Sequence, residues 1–305
     1  MTRTDPTADD FAYDELAYLE ENASEAGLPW TGPPQVERVT VAVAGTRRVS
    51  ALRWGTGPPE LVLVHGMAQN AHTWDTVALA LARPLLAVDL PGHGHSDWRP
   101  DRADDPHHLA DDLAAALDAL GVGATVIVGM SLGGLVTNAL AARRPDLVRR
   151  LVAVDITPEP SESAARDIHD FIAGPQSFPS FAEILERTVQ YNPTRSVASL
   201  RRGIVHNAVR QDDGSWQWRY DRGERDPDRP RPDRAGLWAD VAAIAVPYLL
   251  VRGGAPGSVV TDAGVAELLG RRPATEVVTV EGAGHSIQGD RPVELAAVIE
   301  QFGFG

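Results

Sequence analysis

The sequence predicts an α/β fold: a mostly parallel, doubly wound sheet of eight strands carrying an inserted helical segment. Three observations lead there. Short apolar, β-branched runs alternate with longer stretches of helical periodicity, the pattern of a parallel sheet with helices on both faces. A Gly-x-Ser-x-Gly, Gly129-Met130-Ser131-Leu132-Gly133, falls where one such run meets a helix. The alternation then stops for about 90 residues between Ile156 and Val246 before it resumes. A stretch that long is not a plain loop in a compact domain, so it reads as a subdomain.

Taken in order, residues 1–35 open with an amphipathic helix over 11–26, on Phe11, Leu16 and Leu19, followed by the Pro/Gly loop GLPWTGPP. This arm either packs on the main domain or mediates a homo-oligomer. Residues 36–43 and 47–54 pair as an antiparallel hairpin, and 60–66 form a short strand of the fully buried kind. Then come a helix around 74–82, strand 84–90, helix 109–120, strand 124–129, helix 133–143 and strand 150–155. The insertion, 157–246, has helical patterns such as FAEILERTV and a clump of aromatics, WQWRY. Its mixed-charge stretch at 222–234 reads as a solvated, mobile loop. Strand 247–253, helix 262–269, strand 275–282 and helix 292–302 complete a core domain made of 36–156 and 247–305.

Composition narrows the function classes. The 305 residues are 43% hydrophobic and 23% charged, and 28 basic against 42 acidic side chains leave a net charge of −14. Such a surface repels phosphate backbones and anionic lipid, so neither nucleic acid nor a membrane is an expected partner. There is no cysteine, which excludes disulfides, a thiol nucleophile and thiolate metal sites. Acids spread through the first residues do not fit a signal peptide, which needs an apolar block of about 7–15 residues. No apolar run approaches the roughly 20 residues of a membrane span. The chain therefore reads as cytoplasmic, with no metal and no cofactor.

The Gly-x-Ser-x-Gly gains meaning from its setting. Small residues between a buried strand and a helix allow a tight turn that lifts Ser131 above the sheet edge, over a helix N-terminus that favours negative charge. A serine hydroxyl is a poor nucleophile at its free pKa and needs a base, with a third group to orient that base. Histidine 285, in EGAGHSIQGD directly after the last strand, is the candidate base. An oxyanion hole requires two backbone N–H donors, expected from Leu132 and from Met67 after the His65-Gly66 turn. His65 itself reads as a buried structural group. His72, His93, His95, His107 and His108 read as loop and surface residues, their spacing matching no metal motif of the His-Glu-x-x-His kind.

The HG turn at His65-Gly66, the DLPGHGHSD loop, the GMSLGG elbow and the GAGHS loop, in that order, resemble the α/β-hydrolase fold superfamily over roughly 36–155 and 247–305. The resemblance implies that the insertion is a cap shaping the substrate pocket. A serine at position 131 sets the chain apart from the dehalogenase and epoxide-hydrolase branches, which carry an aspartate there. In many relatives the triad acid follows the strand after the cap, where this sequence has VRGGAPGSVV and Ala255 stands in the acid's place. Asp262 further on reads as a helix N-cap. Asp155, at the end of the strand after the elbow, emerges on the same sheet edge as Ser131 and is the expected acid.

The expected function is a serine hydrolase (EC 3.1.1, carboxylesterase or lactonase) that cleaves an ester or lactone of an apolar small molecule through an acyl-enzyme on Ser131, with His285 and Asp155. Phe171, Phe178, Phe181, Trp216 and Trp218 bring aromatic material to the cap, as core or as pocket lining. Cofactor-free dioxygenases and carbon–carbon bond hydrolases of this fold resemble the same constellation. A ligand receptor without turnover would also keep the pocket and the triad.

Overall fold

The structure, a computed structural model, describes residues 5–7, 11–43, 45–101, 105–221 and 233–305. The elements are α1 (Leu19–Glu25), β1 (Val36–Val43), β2 (Arg47–Trp54), β3 (Leu61–Val64), α2 (Asp75–Leu81), β4 (Leu85–Asp89), α3 (Pro106–Ala119), β5 (Thr125–Met130), α4 (Leu132–Arg143) and β6 (Val148–Val154). The insertion contributes α5 (Glu162–Ile172), β7 (Ser177–Phe178), α6 (Phe181–Tyr191), α7 (Val197–Asn207), β8 (Ala208–Arg210), β9 (Trp216–Trp218) and α8 (Arg234–Ala243). The chain ends with β10 (Tyr248–Gly253), α9 (Asp262–Arg271), β11 (Glu276–Val280), α10 (Ile287–Asp290) and α11 (Pro292–Phe304).

Eight strands form one sheet in the order β1-β2-β4-β3-β5-β6-β10-β11. β2 runs antiparallel to both its neighbours and the remaining pairs are parallel. The central strands are apolar along their middles, with Leu61–Val64 of β3 and Val126–Val128 of β5 fully buried, because both of their faces are covered. Along β3, Val62 and Val64 enter the core beneath α3, α4 and α8, while Leu61 and Leu63 enter the core on the opposite face, against α2 and α11. This period of two, repeated in β5, β6 and β10, sets which helices each strand can hold.

Strand order reverses between β3 and β5, the switch point where the carboxyl ends of an open sheet leave a crevice. Register aligns Val64 with Gly129 and Met130 with Val154. Met67, Ser131 and Asp155 therefore leave neighbouring strands at one edge.

Three differences from the sequence reading have physical causes. The arm's helix is only α1, because the Asp14 carboxylate takes the Leu16 N–H at 3.2 Å and closes a turn ahead of it. The insertion is not purely helical: β7, β9 and β8 make a small antiparallel sheet that puts Phe178, Trp216 and Trp218 into its own core with Phe181 and Ile184. At its far end, Trp238 and Val241 of α8 join the core beneath α4, so the chain is back on the main sheet before β10 begins. The mixed-charge stretch lies, for residues 222–232, outside the described residues. No helix among the described residues is long and apolar enough to cross a membrane.

Candidate active site

Ser131 sits at φ 52°, ψ −119° between β5 and α4, a backbone conformation that costs a non-glycine residue roughly 1–3 kcal/mol. The flanking glycines make it reachable. A Cβ on Gly129 would lie 2.3 Å from the Gly133 carbonyl oxygen, and one on Gly133 would lie 2.4 Å from that of Val64. Strand and helix are thus pressed together, and the serine is raised at the turn. Its N–H donates to Val154 O at 3.1 Å, while its hydroxyl caps no helix N–H.

Asp155, fully buried, has a positive φ of 47° just beyond β6. Four donors converge on its carboxylate: Gly253 N–H at 2.9 Å and Ser258 O–H at 2.5 Å on Oδ1, Val259 N–H at 2.9 Å and His285 Nδ1 at 2.9 Å on Oδ2. With Nδ1–H donated to the carboxylate, Nε2 is left as the basic nitrogen. His285 and Ser131 line the same cavity, and no hydrogen bond joins them in this structure. Asp155 is held by Gly253 at the end of β10 and by Ser258 and Val259 of the β10–α9 loop, the loop that carries Ala255. Asp262 lies in the first turn of α9 and pairs with Arg252 at 2.6 Å, whereas the N-cap is Thr261, whose hydroxyl accepts from Gly264 N–H.

The turn at Gly66-Met67 abuts the serine, since a Cβ on Gly66 would come within 3.1 Å of Ser131 Cβ. Neither Met67 N–H nor Leu132 N–H donates to a protein acceptor among the described residues. Two buried histidines brace this turn. His65 Nε2 accepts from Leu90 N–H at 3.0 Å, and its Nδ1–H donates to Gly66 O at 2.7 Å. His93 Nε2 accepts from Ala68 N–H at 3.1 Å, and its Nδ1–H donates to Pro91 O. Burial pushes both imidazoles down, His93 to about 3 with help from neighbouring His65, so each keeps the neutral form that one donor and one acceptor require. His93 is therefore a buried strut and not a surface residue.

His72 is also buried, which corrects its reading as a surface group. Its Nδ1 meets Asp75 at 2.9 Å, its Nε2 meets Glu15 at 3.1 Å, and its ring stacks on His206 at 3.8 Å with a 12° tilt. Donor atoms of His72, Asp75 and His206 lie within 4.8 Å of one another, a grouping invisible in sequence because His206 is on α7. Nearly parallel rings aim their lone pairs along parallel planes rather than at one point, and both nitrogens of His72 already face carboxylates. The cluster is built as a charge pair rather than as a ligand cage.

The crevice above the sheet is a cavity of about 1010 Å³ between the strand ends and the insertion. Phe171 and Trp218 line it, whereas Phe178, Phe181 and Trp216 are packed in the insertion's core.

A strained serine turn at the switch point, an imidazole carried by a buried carboxylate and a covered crevice are features shared with a known family. A family model described as "Alpha/beta hydrolase family" matches residues 61–298, and the chain belongs to that family. It is 47% identical over 296 residues to an esterase of Mycobacterium tuberculosis, Esterase Rv0045c, covering 94% of each chain. A crystal structure of that esterase aligns with a TM-score of 0.80 at 47% identity over 95% of this chain and 98% of the other. A 3-hydroxybutyrate-oligomer hydrolase of Cupriavidus necator is 28% identical over 280 residues, 86% of this chain and 95% of its own. The protein is a hydrolase.

Proposed function

We propose that the protein hydrolyses carboxylic esters, lactones included, of small molecules with an apolar body, through an acyl-enzyme on Ser131. The observation that carries the reading is the His285–Asp155 contact at 2.9 Å on the same cavity wall as Ser131. In the proposed sequence His285 Nε2 takes the Ser131 proton as Oγ bonds to the ester carbon, and the Met67 and Leu132 N–H groups receive the oxyanion. The carbon–oxygen bond to the alcohol then breaks, and the imidazolium returns the proton to the departing alkoxide. A water deprotonated by His285 then bonds to the acyl carbon, the bond from that carbon to Ser131 Oγ breaks, and the imidazolium returns the proton to Oγ as the acid leaves. The hydrogen bond between Ser131 and His285 forms when substrate is bound, as in other hydrolases whose unliganded geometry is loose. The esterase relative supports the reaction class, and the insertion over the crevice fits a cap that shapes the pocket.

The test is turnover of 4-nitrophenyl acetate and labelling by a fluorophosphonate probe, in wild type and Ser131→Ala. Loss of labelling and a fall in kcat of several orders of magnitude are expected, since only binding and the oxyanion donors remain. Near-wild-type turnover in Ser131→Ala would overturn the acyl-enzyme.

A further inference from the structure

Arg195 forms no ion pair with a carboxylate among the described residues. It lies in the turn between α6 and α7, donates one Nη2–H to Ser199 Oγ at 2.6 Å, and holds an Nε that is sealed from solvent and has no acceptor. No carboxylate among the described residues pairs with it. The two carboxylates whose charge acts on it make their hydrogen bonds elsewhere: Glu25 with Arg202 and Ser196, and Asp290 with Gly284 N–H at 2.9 Å. This is unusual in a chain with 42 acids for 28 basic residues. The other arginines with well-covered side chains, Arg38, Arg47, Arg99 and Arg202, each meet at least one carboxylate. Arg272 donates to two backbone carbonyls, and Arg219 stacks on Tyr13 away from the crevice. Burial pushes the Arg195 guanidinium down from its ordinary value against the pull of Asp290 and Glu25, so those two carboxylates do not offset its desolvation.

The same side chain lines the catalytic cavity. Its guanidinium rests on Gly289, where a Cβ would come within 2.9 Å of Cζ, four residues beyond His285. A desolvated charge is retained at a binding site when a partner of opposite sign completes it, and a planar guanidinium matches a carboxylate in two-point geometry.

We propose that Arg195 forms a carboxylate subsite of this cavity, and that the preferred substrates are esters carrying a second, free carboxylate on an otherwise apolar frame. The proposal rests on the ester-hydrolase reading for its kinetics but not for its binding. The kinetic test compares monomethyl glutarate with dimethyl glutarate, for an acyl-side carboxylate, and 3-acetoxypropanoate with its methyl ester, for an alcohol-side one. In at least one pair wild type should prefer the charged ester at least tenfold in kcat/KM. Arg195→Gln should erase that preference, and Arg195→Lys should restore part of it, keeping the charge without the fork. An unchanged ratio in Arg195→Gln, or a wild-type preference for the capped ester in both pairs, overturns the subsite. The binding test uses Ser131→Ala, which cannot turn over. Glutarate should raise its melting temperature and should not raise that of Ser131→Ala/Arg195→Gln, whereas glutaramide should raise neither. Equal shifts in the two variants overturn the subsite. Glutarate binding that depends on Arg195, without hydrolysis of any ester, would uphold the subsite and defeat the esterase reading.

Discussion

Asp155 performs two tasks that an asparagine cannot combine. It receives one hydrogen bond from the end of β10, two from the β10–α9 loop and one from His285, all on carboxylate oxygens. An amide would turn a donor toward at least one of these donors. Asp155→Asn is therefore expected to lower kcat by about 10⁴, through the wrong imidazole tautomer, and to lower the melting temperature as well. Asp262→Asn removes only an exposed contact with Arg252 and should leave kcat within a factor of two of wild type, a result read from the same ester assay. The convergence of Ser131, His285 and Asp155 on one crevice was legible because each follows a recognisable strand in a sheet whose carboxyl ends share an edge. Ser258, His93 and His206 were not. Their partners are Asp155, the Ala68 N–H and the His72 ring, and nothing in the local pattern around a hydroxyl or an imidazole says what faces it across the fold.

At the scale of elements, the elbow depends on β5 and α4 approaching more closely than a side chain permits. Gly133→Ala would drive a methyl group into Val64 O at 2.4 Å and His65 O at 2.5 Å, backbone atoms that cannot swing aside. A loss of about 3 kcal/mol in denaturant unfolding is expected, at the upper end of ordinary overpacking. The eight strands could be read from sequence because the central ones are apolar on both faces while β1 and β11, on the outside, still carry runs of β-branched residues long enough to show a strand. β7, β8 and β9 have only 2 or 3 residues each, too few for a period of two to register. The arm's apolar positions did fit a helix, but the Asp14 turn overrode them locally.

Over the whole molecule, the arm ties the insertion to the core. Glu15 bridges Arg38 and His72, Tyr13 meets His206 at 3.0 Å, Leu19 enters the sheet's core, and Glu21 and Glu25 hold Arg201 and Arg202 of α7. The His72 imidazolium is the titratable pin. Burial works against its charge, but Asp75 and Glu15 outweigh burial and lift it to about 9. Its folded value exceeds the ordinary one of about 6.5, so its contribution is complete below pH 6.5 and is lost as pH rises through about 9. Asp75, pushed up by burial, also contributes less as pH rises. Glu15, which burial would raise but His72 and Arg38 hold at about 2, contributes above the ordinary carboxylate range. His206, His65 and His93, all pushed down by burial, lose stability as pH falls below about 6.5. Melting temperature should therefore peak near neutrality, and His72→Gln should flatten the alkaline limb and also weaken the hold on Glu15 in the carboxylate range. A wild-type minus His72→Gln difference in melting temperature that stays constant from about pH 6.5 to about 9.5 would contradict this.

The same strap fixes how traffic through the crevice must run. Among the described residues the insertion is held to the sheet from a third side by the arm, so ligands are expected to pass by side-chain fluctuation at the doorway, on a scale of roughly picoseconds to nanoseconds, rather than by swinging a lid over microseconds to milliseconds. Diffusive drag on a large moving body then drops out of the catalytic cycle, and bond making is left as the slow event. Sucrose added to triple the solvent viscosity should leave kcat for a neutral aryl ester unchanged, while a proportional slowing would reveal a roof that has to open.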